Sequence, residues 1–161
     1  MTLKNLRKEF LSQFDGRKRD LEVAEKLAGL SFKKLVAEAR ANYHEAMEEQ
    51  AGCGTTGDET WEKNAGIHKQ VFFISQALPH YYSNLHTLMC LAYRLTKKGF
   101  LVSVETTGNE THGWAFKATV SYRGPGFNGR LAWEVSNSPA SALARALLRG
   151  VENYNGLRRK S

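Results

Sequence analysis

The C-terminal third of the chain constrains the fold most. Residues 100–106 alternate apolar and polar side chains, and residues 114–123 and 130–135 repeat that alternation. A period of two is typical of strands that bury one face, and Gly124-Pro125-Gly126 supplies a turn between the last two. Ser138-Pro139 then opens a helix, because Ser caps N–H groups and Pro at the first helical position loses no hydrogen bond. This region predicts a three-stranded antiparallel meander followed by a helix.

The rest of the chain carries helical spacing. An apolar residue recurs at every third or fourth position in four stretches, which are residues 3–14, 20–30, 32–50 and 85–98. This recurrence is typical of amphipathic helices, and Ser31 is placed to cap the third of them. Residues 71–78 form a short apolar run that fits either a strand or part of a buried helix.

These elements together predict an α+β fold. We expect a three-layer sandwich in which an antiparallel β-meander is covered by helices, with a helical N-terminal half. At 161 residues the chain is long enough for a single domain, residues 1–161, with its own core.

The composition narrows the class of protein. Apolar residues make up 42% of the chain and charged residues 24%, as in globular proteins, and the apolar runs fall short of a membrane span. No secretory leader is recognisable. Two distant thiols, Cys53 and Cys90, do not form a disulfide framework. We therefore expect a cytoplasmic protein without a membrane partner.

The net charge of +7 favours an anionic partner, because a positive field concentrates phosphates and speeds their encounter. Much of the excess lies in two clusters near the ends, Arg17-Lys18-Arg19 and Arg158-Arg159-Lys160. The first cluster is a candidate nucleic-acid contact. End clusters are also common as solvated tails, so both readings stay open.

Residues for catalysis or metal binding do not form a recognisable set. His80 and His86 have no Cys or carboxylate at zinc-ligand spacing, and Cys90 is isolated. A thiol nucleophile at Cys53, or a base at His112, is a distant alternative. We expect no metal, no cofactor and no catalysis.

Aromatic and basic side chains in the C-terminal third are the candidate ligand contacts. An aromatic face can stack a base, and the candidates are Trp114, Phe116, Tyr122 and Trp133. For Phe116 and Trp133 the favoured interpretation is packing between sheet and helix, whereas Trp114 should lie near an edge. Arg145 and Arg149 can bind phosphate bidentately. They can equally be solvated and paired with Glu134 or Glu152.

Short motifs in the chain resemble small phage proteins that carry the phage ABA-sandwich domain. The matching segments are residues 20–30, a Pro-x-Tyr-Ser-like step at 79–83, Lys-Lys-Gly at 97–99, a Trp strand at 114–116 and a Ser-Pro-x-x-Ala-x-x-Arg-Ala helix at 138–147. The resemblance covers roughly residues 20–32 and 79–152. Residues 1–19 depart from it as a basic helical arm, and residues 33–78 depart from it as an insertion of helix and loop.

This resemblance implies an α-β-α layered fold and a phage origin. Among comparable phage proteins, the anti-Thoeris sponges are oligomers that sequester cyclic ADP-ribose signals without cleaving them. A similar site here would use Phe116 or Trp114 for the base, Asn128 to orient the ligand, and Arg145 and Arg149 for the pyrophosphate.

We therefore predict a non-enzymatic phage accessory protein that sequesters an anionic nucleotide and counters host defence in the cytoplasm of an infected bacterium. A homo-oligomer is expected, as the resemblance to the oligomeric sponges implies. Ala142, Ala146 and Gly150 form a stripe of small residues on the last helix that leaves room for such a contact, although helix propensity alone also explains this stripe. The main alternative is a nucleic-acid or host-protein binder that uses Arg17, Lys18 and Arg19 of the basic arm.

Overall fold

The computed structural model of the chain describes residues 2–51, 61, 65–109 and 113–159. Helices fill its N-terminal half, and three strands form one antiparallel sheet in the order β1-β2-β3. The predicted α+β sandwich is therefore confirmed. Its elements are α1 (Leu3–Gln13), α2 (Lys18–Val23), α3 (Phe32–Ala51), α4 (Ile67–Ala77), α5 (Leu85–Thr96), β1 (Phe100–Asn109), β2 (Gly113–Gly124), β3 (Phe127–Ser136) and α6 (Pro139–Arg158).

The chain divides into two compact units. Unit 1 comprises Met1–Glu25 and Gly29–Pro79, and unit 2 comprises Lys26–Ala28 and His80–Ser161. The sequence predicted a single domain, and the division into two compact units does not test that prediction. Within the described part of the chain, no helix combines the length and the apolar character needed to cross a membrane.

Unit 1 is helical, and its first helix belongs to its core. Thr2 caps α1 by accepting a hydrogen bond from the backbone N–H of Asn5 at 3.3 Å. On the buried side of α1, the ring of Phe10 lies 5.8 Å from that of Phe14 and 5.9 Å from that of Phe32. The apolar run at residues 71–78 is helical, in α4, so the strand interpretation does not hold. Aromatic contacts thus tie α1 to the start of α3.

Unit 2 has the order helix, three strands, helix. In its sheet, alternate residues of β2 are buried, and these are Ala118, Val120 and Tyr122. Helix α5 packs on β1, and α6 packs on β2 and β3. As predicted, Ser138 caps α6, where its hydroxyl accepts from the N–H of Ser141 at 3.3 Å. The two helices cover one face of the sheet, and the odd-numbered residues of β1 and β2 point to the other face.

The pairing of β2 with β3 contains a β-bulge. Val120 is opposite Ala132, whereas its neighbour Ser121 is opposite Arg130, which leaves Leu131 as the extra residue. A bulge reverses the side on which the following residues of its strand lie. Both Leu131 and Ala132 are buried as a result.

The small residues of α6 pack within the chain. Ala142, Ala146 and Gly150 are all buried, and a Cβ atom added to Gly150 would lie 2.8 Å from Cγ1 of Val120. The close approach of α6 to β2 therefore depends on glycine at this point. The oligomer inferred from these residues stays a prediction.

Gly150→Ala should lower the free energy of unfolding by about 1 kcal/mol, although Ala favours helix more than Gly does. The methyl group would meet Val120, which is buried and too short and stiff at χ1 to move aside. Denaturant-induced unfolding measures this loss.

Gly156 is the matched control in the same helix, because a Cβ atom there would meet nothing within 4 Å. Gly156→Ala should raise the free energy of unfolding by about 0.5 kcal/mol. If both substitutions raise stability, α6 does not approach β2 closely enough for a methyl group at residue 150 to meet Val120.

Candidate functional site

Phe116 borders a groove at one end of the sheet in unit 2. The groove has a volume of about 370 Å³ and is lined by Leu85 and Met89 of α5 and by Val102 and Val104 of β1. Its walls are mostly apolar, and Phe116 is only partly exposed. This surface suits a planar apolar group such as a base. Arg145 and Arg149 do not line it.

The two tryptophans of the sheet occupy different places. Trp114 lies near the start of β2 opposite Gly108 and is 65% exposed, which agrees with its predicted position near an edge. Trp133 was expected to pack between sheet and helix, and this prediction is wrong. It lies opposite Thr119 on the face away from the helices and is 51% exposed. The bulge at Leu131 is the reason, since an unbroken register would have placed Trp133 opposite Ala118 on the covered face.

Arg145 and Arg149 lie on an exposed flank of α6 beside the edge strand β3, and we call them the arginine flank. Arg145 donates from Nη2 to the hydroxyl of Ser136 at 3.4 Å, and Arg149 forms an ion pair with Glu134. The sequence left pairing with Glu134 or Glu152 open. Glu134 is the partner found for Arg149, whereas Glu152 pairs with Lys26 at 2.7 Å.

The predicted ligand residues do not all meet within one chain. Ser136 links two of them, because it is opposite Phe116 in the sheet and accepts from Arg145. Asn128 is exposed at the other end, opposite Arg123. Seven residues along β2 separate these positions, which is roughly 23 Å. Phe116 and Asn128 therefore do not share one cavity in a single copy.

Arg17 of the basic arm is held within unit 1. Its Nη1 lies 2.7 Å from Oδ2 of Asp20, and its Nη2 donates to the carbonyl oxygens of Ser75, at 3.1 Å, and Leu78. Burial lowers the pKa of Arg17, and the charge of Asp20 opposes this shift. The guanidinium joins α2 to the end of α4. Arg17 is thus a structural residue of unit 1.

Lys18 and Arg19 are exposed beside Arg17. They line a surface pocket together with two carboxylates, Asp15 and Glu22. These acids reduce the local positive potential, since each offsets one cation nearby. The three consecutive basic residues therefore do not form one continuous basic surface.

Unit 1 contains a separate cavity of about 540 Å³ among α1, α3 and α4. Its lining is mainly apolar and includes Leu6, Val36 and Trp61. The buried amide of Gln70 donates through Nε2 to the carbonyl oxygens of Trp61, at 3.1 Å, and Ala65, at 2.7 Å. This amide holds the surrounding backbone in place.

Only some of the cysteine and histidine residues considered for catalysis or metal binding lie in the part of the chain that the structure describes. Cys53 and His112 lie outside the described residues. Cys90 is exposed, with its sulfur 3.7 Å from Nε2 of His86. Among the residues that the structure describes, no group of three or more His, Cys, Asp or Glu side chains could hold a metal ion.

The positive charge is concentrated in unit 2. This unit has twelve Lys and Arg residues against four Asp and Glu, a formal charge of +8. Unit 1 has eleven against twelve, a formal charge of −1. The basic clusters near the ends of the chain did not indicate this division, because the acids of residues 38–62 belong to unit 1 and offset the first cluster.

The face of the sheet away from the helices, here called the open face, combines basic, hydroxyl and apolar side chains with one carboxylate, that of Glu105. Lys117 pairs with Glu105 at 3.1 Å across the β1–β2 ladder. The strand register assigns these residues to the open face: Leu101, Ser103 and Glu105 of β1, Lys117, Thr119, Ser121 and Arg123 of β2, and Asn128, Arg130, Trp133 and Val135 of β3.

In comparisons with known proteins, no protein-family model, curated protein or solved structure matches the chain. The resemblance to phage ABA-sandwich proteins and to anti-Thoeris sponges stays a prediction.

Proposed function

We propose that this chain is a non-catalytic binding protein whose unit 2 captures an anionic, phosphate-bearing ligand. The division of charge carries the proposal, since unit 2 has a formal charge of +8 and unit 1 of −1. A strongly positive surface raises the local concentration of phosphates and speeds their association. The phage origin, the anti-defence role and the cytoplasmic location implied by the resemblance belong to the same proposal.

The arginine flank supports this proposal. Arg145 and Arg149 are four residues apart on one helix, so they project from successive turns. Both are exposed, and guanidinium groups bind phosphate in a bidentate manner. Phe116, which borders the apolar groove, lies opposite Ser136, the residue that accepts a hydrogen bond from Arg145. A site that also included Asn128 would need a second copy of the chain, as a homo-oligomer would supply.

A double substitution tests the assignment to unit 2. We expect signalling nucleotides, screened by their shift of the melting temperature, to stabilise the native chain. Arg145→Ala with Arg149→Ala should weaken binding of the hit at least about tenfold, because hydrogen bonds between charged groups are lost. Isothermal titration calorimetry gives the two affinities.

Lys4→Ala with Lys8→Ala is the matched control. These lysines are also exposed and four residues apart on a helix, but they belong to α1 in unit 1 and to the basic arm. The control should change affinity less than about twofold. If it abolishes binding while the arginine variant binds normally, the basic arm is the site and the proposal fails. Release of an altered ligand on denaturation would contradict a non-catalytic role.

A further inference from the structure

We infer that the open face of the sheet binds single-stranded nucleic acid, with Trp133 as the stacking platform and Arg123 and Arg130 as phosphate contacts. The inference rests on the proposed function, since it assigns the anionic ligand of unit 2 to a chemical class. The inferred site differs from the arginine flank in location, because the open face lies on the side of the sheet away from α6.

Trp133 has the exposure and position of a stacking residue. It is 51% exposed in the edge strand β3, and its neighbours on the face are Thr119 across the ladder and Val135 along the strand. The bulge at Leu131 turns this indole away from the core. An exposed aromatic ring on a sheet can stack a base irrespective of sequence, since every base has a π-face.

Basic groups lie beside Trp133 along the same face. Arg130 is opposite Ser121, and Trp133 is opposite Thr119, so the two lie roughly 7 Å apart along the sheet. Arg123 lies two residues beyond Ser121 on β2, on the same face, and both arginines are exposed. A base stacked on Trp133 therefore has its flanking phosphates within reach of long guanidinium side chains.

The polarity of β2 favours nucleic acid over other occupants. Its residues on the open face are Lys117, Thr119, Ser121 and Arg123. An apolar protein surface would bury these groups without hydrogen bonds, which is costly. A second copy packed face to face would bring two surfaces of net positive charge together, since Lys117, Arg123 and Arg130 outnumber Glu105 on this face. In duplex DNA the bases are stacked on each other inside the helix, so no base is free to stack on Trp133.

The test measures fluorescence anisotropy of a labelled oligothymidylate of about a dozen nucleotides. Trp133→Ala should weaken binding by about 5- to 150-fold, the loss typical of removing one stacking ring. Trp133→Phe should retain part of the affinity. Tyr93→Ala, which removes an even more exposed aromatic ring from α5, outside the open face, should change affinity less than about twofold.

A salt titration tests the phosphate contacts. Arg123→Ala with Arg130→Ala should reduce the slope of log affinity against log salt by about 1.4, since each phosphate contact to a single strand contributes about 0.7. Lys4→Ala with Lys8→Ala should leave that slope unchanged. Circular dichroism melting confirms that each variant is folded.

Several results would overturn the inference. These are the absence of oligothymidylate binding at low salt, equal affinity for a duplex of the same length, or a larger loss with Tyr93→Ala than with Trp133→Ala. Any of them leaves the proposed function standing if nucleotides still bind through Arg145 and Arg149. Conversely, if the chain binds the oligonucleotide but no nucleotide, the binding site proposed at the arginine flank is wrong and the site proposed at the open face still stands.

Discussion

Arg17→Ala is expected to lower the free energy of unfolding of unit 1 by about 3–5 kcal/mol, the range for removing one partner of a buried ion pair. Asp20 is 4% exposed and would lose the guanidinium that balances its charge. The carbonyl oxygens of Ser75 and Leu78 would lose a donor at the same time. Urea-induced unfolding, monitored by circular dichroism, measures the change.

Lys18→Ala is the control, because Lys18 is the exposed neighbour of Arg17 and carries the same charge. It should change stability by less than about 0.5 kcal/mol. Arg17→Lys should recover only part of the loss, since one ammonium group cannot reproduce the planar fork of a guanidinium. Equal, small effects of Arg17→Ala and Lys18→Ala would show that Arg17 belongs to a solvated arm.

Phe10→Ala should lower the free energy of unfolding by about 3–5 kcal/mol, as expected for removing a large core side chain. Phe10 is 0% exposed, and its ring contacts those of Phe14 and Phe32. The cavity left behind cannot collapse fully, because these rings come from two helices. Denaturant unfolding is again the measurement, and the transition of unit 1 is the one to follow if the two units unfold separately.

Leu3→Ala provides the comparison within α1. Leu3 is 45% exposed, so its truncation should cost less than about 1 kcal/mol. If Phe10→Ala is as mild as Leu3→Ala, residues 1–19 are not part of the core of unit 1.

These two predictions change how a deletion of residues 1–19 should be read. The segment supplies Phe10 to the core and Arg17 to a buried ion pair, so its removal should destabilise unit 1. A loss of ligand binding after deletion would then report unfolding as much as a lost contact. Exposed point substitutions such as Lys4→Ala and Lys8→Ala separate these effects.

Much of the fold could be predicted from local patterns. The three strands were recognised from alternation, and α3 from apolar residues at helical spacing after Ser31, whose hydroxyl accepts from the N–H of Lys34 at 3.4 Å. The cap of α6 at Ser138 was recognised in the same way. These features depend on residues within one or two turns of each other, so a single sequence contains the information.

The candidate site was predictable only in part. Arg145 and Arg149 are exposed on the flank of α6, which is compatible with both interpretations that the sequence left open, phosphate binding and solvation. The separation of Phe116 from Asn128 depends on the strand register, which the sequence did not specify. The division of charge between the units became visible only when contacts grouped residues 26–28 with residues 80–161.

The sequence by itself determined the helices, the strands, the caps and the excess of basic residues, because periodicity, capping and composition act over short stretches of chain. Tertiary structure alone decided two other points. The bulge at Leu131 turned Trp133 to the open face, and Arg17 came to donate hydrogen bonds to the carbonyl oxygens of Ser75 and Leu78. Both depend on contacts between segments distant in the sequence, where burial and register are settled by packing across the whole unit.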